Sequence, residues 1–346
     1  MIKNPIVRYV GIAALGMLLS TAITAKADLL AYEPFDYAAG SVVDTNANGG
    51  FGFSQPWQPN LPSGANGYNQ IIRAGSLVYV DSNGYQLLTG GNRIHITGDG
   101  SDQGDNTGGT RHNAQPRRAF NFSRGSATET TWVSFLAIWN PLVVTPWWDA
   151  AKGEYLYYGR GTSVQLFQGT GSERLTIGTA SQNAETGQVH PELPLAPNDT
   201  FRLVNRGAAN YTVASTVPFT NLPPNSTANF VVVRIDHLAG DDRVNAPDTA
   251  YMWLNPSLTS EPDINNADVV SFAGTAGYER DYWFDTLRLF AGSWNSVVGY
   301  GAADVDEIRV GTTYWDVAPL VPEPSAAVLS VLGGLGLLVW RLRRKQ

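Results

Sequence analysis

The chain has 346 residues, no cysteine, and four histidines, His95, His112, His190 and His237, none paired at a metal-ligand spacing. This removes disulfides, thiol catalysis and cysteine- or histidine-built zinc sites, so a domain of this size must be held together by its hydrophobic core. Seven of the 23 basic residues (Lys3, Arg8, Lys26, Arg341, Arg343, Arg344 and Lys345) lie at the two ends, leaving 16 against 30 acidic residues in the segment through Pro324. That net of −14 argues against nucleic acid and anionic lipid as partners.

In chain order, the first element is a secretory signal. Lys3 and Arg8 form a positive start, an apolar run follows from Val10 to Ala22, and Ala25-Lys26-Ala27 supplies the small-x-small site that a signal peptidase accepts. Residues 1–27 are therefore expected to be removed, with Asp28 the first mature residue, and residues 28–318 to form the exported domain.

Beyond Asp28 the pattern is that of an all-β protein. Short runs rich in β-branched and aromatic residues predict strands at Leu29–Tyr32, Ser76–Val80, Arg93–Thr97, Thr131–Trp139, Glu154–Tyr158, Ser163–Phe167 and Glu173–Ile177. Further runs follow at Thr200–Val204, Phe230–Leu238, Thr249–Leu254, Tyr282–Phe290 and Asp306–Val310, with turn residues such as Ser82-Asn83-Gly84 and Gly169-Thr170-Gly171 between runs. In Thr131–Trp139, Val133, Phe135, Ala137 and Trp139 share one face and Trp132, Leu136 and Ile138 the other, so this strand should be buried on both sides. Within Asn229–His237, Val231, Val233 and Ile235 point inward while Arg234 and Asp236 point outward. Many short strands separated by turns predict a sandwich of jelly-roll type.

Several residues in this domain have the chemistry of a site. Trp57, Trp147, Trp148 and Trp294 lie in polar loops where an exposed indole would stack on a sugar ring; Trp132, Trp139 and Trp253 lie inside strands and are read as core. Asp236, Asp241, Asp242 and Asp248 form an acidic patch with the oxygen ligands that Ca2+ takes, and the Asp/Gly-rich run Thr97–Thr110 has similar ligands without an EF-hand spacing. Retaining glycoside hydrolysis needs two carboxyls about 5–5.5 Å apart. The nearest sets are Glu279-Arg-Asp281-Tyr-Trp-Phe-Asp285, whose last carboxylate falls one place late, and Asp304-Val-Asp306-Glu307, which lacks a leading Glu and should put Glu307 on the opposite face. No complete acid/base pair can be assembled, so a non-catalytic role is expected, with a secreted polysaccharide hydrolase as the alternative.

The last element spans 319–346. Pro322-Glu323-Pro324 precedes sixteen uncharged residues, Ser325–Trp340, and Arg341, Arg343, Arg344 and Lys345 close the chain. As a helix the apolar stretch would be about 24 Å long, short of the roughly 30 Å hydrocarbon core, with Trp340 and the arginines able to cover the difference at the interface.

Two resemblances follow from these residues. The order Pro322-Glu323-Pro324, apolar helix (about 325–340), basic tail (341–345) resembles the PEP-CTERM sorting signal. That implies a Gram-negative host that makes extracellular polysaccharide and an exosortase-type membrane protease as partner. It also implies passage through the inner membrane to the cell surface or extracellular matrix. The paired runs Phe230–Asp236 and Asp248–Pro256, then Phe284–Phe290 and Asp304–Gly311, with the opening Ala31–Tyr37, resemble concanavalin/laminin-G-like sandwiches. In that group the last strand pairs near the first, which would make residues 29–317 one domain with a structural or carbohydrate-binding role toward extracellular polysaccharide.

Overall fold

The computed structural model describes residues 28–59, 70–97, 114–139, 147–149, 154–156, 162–178, 200–205, 211–218, 222–239, 247–271, 281–292 and 302–321. Their β-branched and aromatic runs form strands wherever one face can be buried. In chain order these are β1 (Leu29–Glu33), β2 (Gln70–Arg73), β3 (Arg93–Thr97), β4 (Arg117–Arg124), β5 (Glu129–Trp139), β6 (Trp147–Asp149), β7 (Glu154–Leu156) and β8 (Thr162–Gln168). There follow β9 (Ser172–Gly178), β10 (Thr200–Asn205), β11 (Tyr211–Pro218), β12 (Asn229–His237), β13 (Thr249–Leu254), β14 (Val269–Val270), β15 (Phe284–Ala291), β16 (Ala302–Gly311) and the one-turn helix α1 (Tyr314–Val317).

Most strands belong to two antiparallel sheets. The first runs β14-β13-β12-β5-β16-β3-β2 with β1 also paired to β16, the second runs β11-β10-β9-β8-β15-β4, and β6 and β7 form a separate hairpin. The expected pairing of first and last strands is observed, Tyr32 lying opposite Arg309 and Glu33 opposite Ile308. The two large sheets share one core. Val133, Phe135, Ala137, Val231, Val233 and Ile235 from the first meet Val164, Leu166, Leu175, Ile177, Leu287 and Leu289 from the second. Each such buried side chain larger than alanine contributes about 1.5–3 kcal/mol. This is an all-β sandwich of two antiparallel sheets.

Part of the outer face of the first sheet is covered too. Trp132 and Leu136 of β5, Phe230 and Val232 of β12 and Trp253 of β13 pack under Leu77, Tyr79, Leu87, Leu258, Tyr314 and Val317. The two-sided burial expected for β5 is therefore found, with Ile138 only partly buried. The covering layer also accounts for a correction. Ser76–Val80, expected as a strand, is not one: its N–H groups are taken by side chains, Leu77 by Asp306 (2.8 Å), Val78 by Thr227 Oγ1 (2.9 Å) and Val80 by Ser226 Oγ (2.8 Å). Its apolar residues are core, but they belong to a loop laid over the sheet.

The strand ends at Gln70, Thr97, Trp139, Thr162, Gly178, Thr200, Ala291 and Ala302 gather at one end of the sandwich, as shown by the pairs Ala302–Thr97, Ala303–Trp139, Ser163–Gly178 and Ala291–Thr162. Among the described residues no helix is long and apolar enough to cross a membrane. The expected signal (1–27) and the sorting residues Pro322, Glu323, Pro324, Arg341, Arg343 and Arg344 lie outside them. Up to Val321 the chain still pairs with the sandwich, through Leu320 opposite Leu87 and the Val321 N–H on the Gln86 carbonyl.

Candidate functional site

Beyond the part packed under α1 and the covering loop, the outer face continues over β16, β3 and β2. On β3, Ile94 and Ile96 face the core, and on β16 so do Ala303 and Val305. Alternation therefore turns Arg93, His95 and Asp304 outward, with His95 directly opposite Asp304. One carboxylate accepts from three side chains, two of them guanidinium groups. Asp304 Oδ1 accepts from His95 Nδ1 (2.6 Å) and Arg73 Nη1 (3.3 Å), and Oδ2 accepts from Arg93 Nε (2.8 Å). Arg93 Nη1 also donates to the carbonyls of Ala74 (2.5 Å) and Gly75 (2.8 Å), tying the β2 terminus to the cluster.

Burial alone would raise the Asp304 carboxyl, but bonds from His95 and Arg93 and the charges of His95 and Arg73 hold it below the usual carboxylate range. Since an ionised carboxylate only accepts, the His95 proton sits on Nδ1 and Nε2 faces away from the aspartate. Among the described residues nothing bonds to Nε2, nor to Nε and Nη2 of Arg73, whose side chain is 45% exposed.

Farther along β16 stand two more carboxylates. Asp306 pairs with Leu136 of β5 and Arg309 with Ser134, so β16 carries one extra residue there, a β-bulge, with Glu307 at φ +56°. The bulge lies where β16 changes partner, from β3 along Ala302–Val305 to β1 along Ile308–Gly311. It corrects the expectation that Glu307 faces away from Asp306, because both reach the loop laid over the sheet. Asp306 accepts from Ser76 Oγ (2.6 Å) and Leu77 N (2.8 Å), while Glu307 accepts from Gly90 N (2.6 Å), Tyr32 OH (3.0 Å) and Arg309. Burial, with the neighbouring Glu307 charge, pushes Asp306 up to about 8. These carboxylates fasten a loop. They are not presented to solvent, and Asp281 and Asp285 are likewise engaged, by the N–H groups of Trp283 (2.9 Å) and Gly169 (2.7 Å). Glu279 lies outside the described residues.

The other predicted site residues divide clearly. Trp57 is not an exposed sugar platform: it is fully buried, stacks on Phe35 (5.9 Å between rings) and donates its indole N–H to Glu33 (2.9 Å). Its Pro, Gln and Asn neighbours look solvated in sequence, but a buried carboxylate supplies the partner an interior indole needs. Glu33 also pairs with Arg118 (2.5 Å), inside the core. Trp132, Trp139 and Trp253 are core, as expected. Trp147 and Trp148 lie on β6, their side chains outside the described residues, as is Trp294.

Of the expected calcium patch, Asp241 and Asp242 lie outside the described residues. Asp248 is spent internally, on His237 Nδ1 (2.9 Å) and the N–H groups of Leu238 (2.8 Å) and Tyr282 (2.8 Å). Asp236 instead takes Arg234 (2.8 Å) and Thr130 (3.0 Å). Both oxygens of Asp248 and Oδ1 of Asp236 thus accept from protein donors, and among the described residues no group of three or more His, Asp or Glu side chains is disposed to hold a metal. The Asp304 cluster escaped the sequence reading because His95 and Asp304 are 209 positions apart and meet only through strand register. The local signal was Arg93-Ile-His95, two polar residues on one face of a strand whose other face is apolar.

No protein-family model matches the chain, and no curated protein matches it. Among solved structures, a β-1,3-glucanase from Mycobacterium marinum aligns at TM-score 0.38 and 12% identity, covering 82% of this chain and 99% of that one. A legume lectin-like domain from Entamoeba histolytica aligns at TM-score 0.31 and 11% identity, over 70% and 89% of the two chains. A botulinum neurotoxin type C structure aligns at TM-score 0.34 and 8% identity, over 68% of this chain and 47% of that one, so the chain spans about half of that neighbour's length. Identities and scores are low, and the β-sandwich rests instead on the strand order and the shared core.

Proposed function

We propose that this chain is an exported, jelly-roll sandwich of the concanavalin/laminin-G-like type that binds carbohydrate without cleaving it. In this reading an exosortase-type protease recognises Pro322-Glu323-Pro324, and the domain is delivered to the cell surface or matrix of a Gram-negative bacterium. The observation that carries the binding role is the polar cluster on the outer face of β2, β3 and β16, where Arg73 is 45% exposed over the buried His95 and Asp304. Arg73 and Arg93 lie there on paired strands, held by Asp304. The carboxylates nearest to a glycosidase set, Asp281, Asp285, Asp306 and Glu307, are engaged in internal hydrogen bonds, which favours binding over hydrolysis.

Incubation with a panel of insoluble glycans tests this. Retention without release of reducing sugar is expected. Release of sugar that disappears in Asp281→Asn would establish the hydrolase instead. Mass spectrometry of the chain from its own host checks the sorting: a new C-terminus close to Pro322–Pro324 is expected, and an intact Gln346 would refute processing.

A further inference from the structure

We propose that the Asp304 cluster is an anion-binding subsite for the carboxylate of an acidic sugar, with Arg73 as the contacting residue. This rests on the carbohydrate-binding reading and adds the class of ligand.

The argument begins with charge. Two guanidinium groups and one carboxylate leave the cluster at +1 with a neutral imidazole, in a segment whose overall balance is −14. Asp304 is already committed to three donors, so it holds Arg73, Arg93 and His95 in place and has little capacity to accept from a ligand. The donors left over are those that point away from it. Arg73 uses only Nη1 on Asp304; its Nε and Nη2, with no partner among the described residues, form the planar fork that matches a carboxylate. Its side chain is 45% exposed, whereas that of Asp304 is 9% exposed, so an incoming anion meets cation first.

The neighbouring carboxylates do not cancel this field. Glu307 is paired with Arg309, and Asp306, pushed up to about 8, is largely protonated at neutral pH. Because the bond from Arg73 Nη1 to Asp304 positions the fork before any ligand arrives, less ordering remains to be done on binding. A neutral sugar would gain nothing from the excess cation. A carboxylate on a sugar ring would take charge-assisted bonds there, while the rest of the domain's negative charge repels polyanions that lack such a contact.

The test uses the full chain solubilised in detergent, with polygalacturonate, its methyl ester and a neutral β-glucan as probes in affinity electrophoresis. Polygalacturonate is expected to retard the wild type at least about tenfold more strongly than the ester, the size of one charge-assisted contact. Arg73→Ala should lose that preference and Arg73→Lys keep part of it, with thermal midpoints equal to wild type, since Arg73 is exposed. Equal retardation by acid and ester, or an unchanged preference in Arg73→Ala, would overturn the subsite while leaving carbohydrate binding intact. Retardation by none of the probes, and by no glycan of the wider panel, would remove the binding role and the subsite with it.

Discussion

At the scale of single residues, this domain places several carboxylates where water cannot reach them and satisfies each one differently. Asp304 is ionised and surrounded by cations; Asp306, two positions along the same strand, has only neutral donors and an acidic neighbour. The two therefore respond to pH in opposite ways. A carboxyl whose value rises on folding stabilises the native state fully at pH below its unfolded value, and that contribution is lost as pH rises through the folded value, here about 8. Between about pH 4 and about pH 8 the wild type should thus lose stability in urea unfolding, and Asp306→Asn, which cannot ionise, should lose markedly less. Parallel slopes for the two proteins would show that Asp306 is charged throughout. The Asn variant forfeits one bond from Leu77 or Glu307, so its absolute stability should be lower at low pH by about 1 kcal/mol.

At the scale of elements, the segment after β1 depends on close backbone approaches. Phe51 pairs with Tyr32 on the first sheet and Phe53 with Phe120 on the second, so residues 51–53 cross between the sheets. Gly52 makes that crossing at φ +86°, against the backbone of β1, where a Cβ would meet the Leu30 carbonyl oxygen and the Ala31 Cα. Gly52→Ala should therefore destabilise by more than about 1 kcal/mol, the cost of the backbone conformation alone, in chemical denaturation. A neutral effect would mean that the crossing can shift. Strand identity was legible here wherever apolar alternation was strong, as in β12 and β13, or both faces were apolar, as in β5. β4 was missed because Arg117, Arg118, Asn121 and Arg124 interrupt its aromatic residues, yet Phe120 and Phe122 pack against the core and Arg118 is buried against Glu33. A buried charge reads as a surface residue until its partner is known.

At the scale of the whole molecule, the chain is closed by contacts between its first and last strands, 275 positions apart at Tyr32 and Glu307. β1 covers the second half of β16 and supplies Glu33 to Arg118, so removing residues 28–36 uncovers a central strand and leaves a guanidinium buried without its charge partner. Losing one member of a buried pair costs about 3–5 kcal/mol, a large share of a domain's net stability. The truncated chain is expected to lose its near-ultraviolet circular dichroism; a retained native spectrum would show that β1 is dispensable.

What the amino-acid sequence determined alone was the all-β class, most strand positions, the two faces of β5 and the core tryptophans inside strands. Those properties follow from local alternation and propensity, which each segment carries whatever it packs against. Tertiary structure alone decided that Trp57 is interior, that Ser76–Val80 is a covering loop, that Glu307 turns to the same side as Asp306, and that Arg73, Arg93, His95 and Asp304 form one cluster. Each of these depends on which distant strand lies alongside and in what register, and a shift of one residue would turn every side chain to the other face.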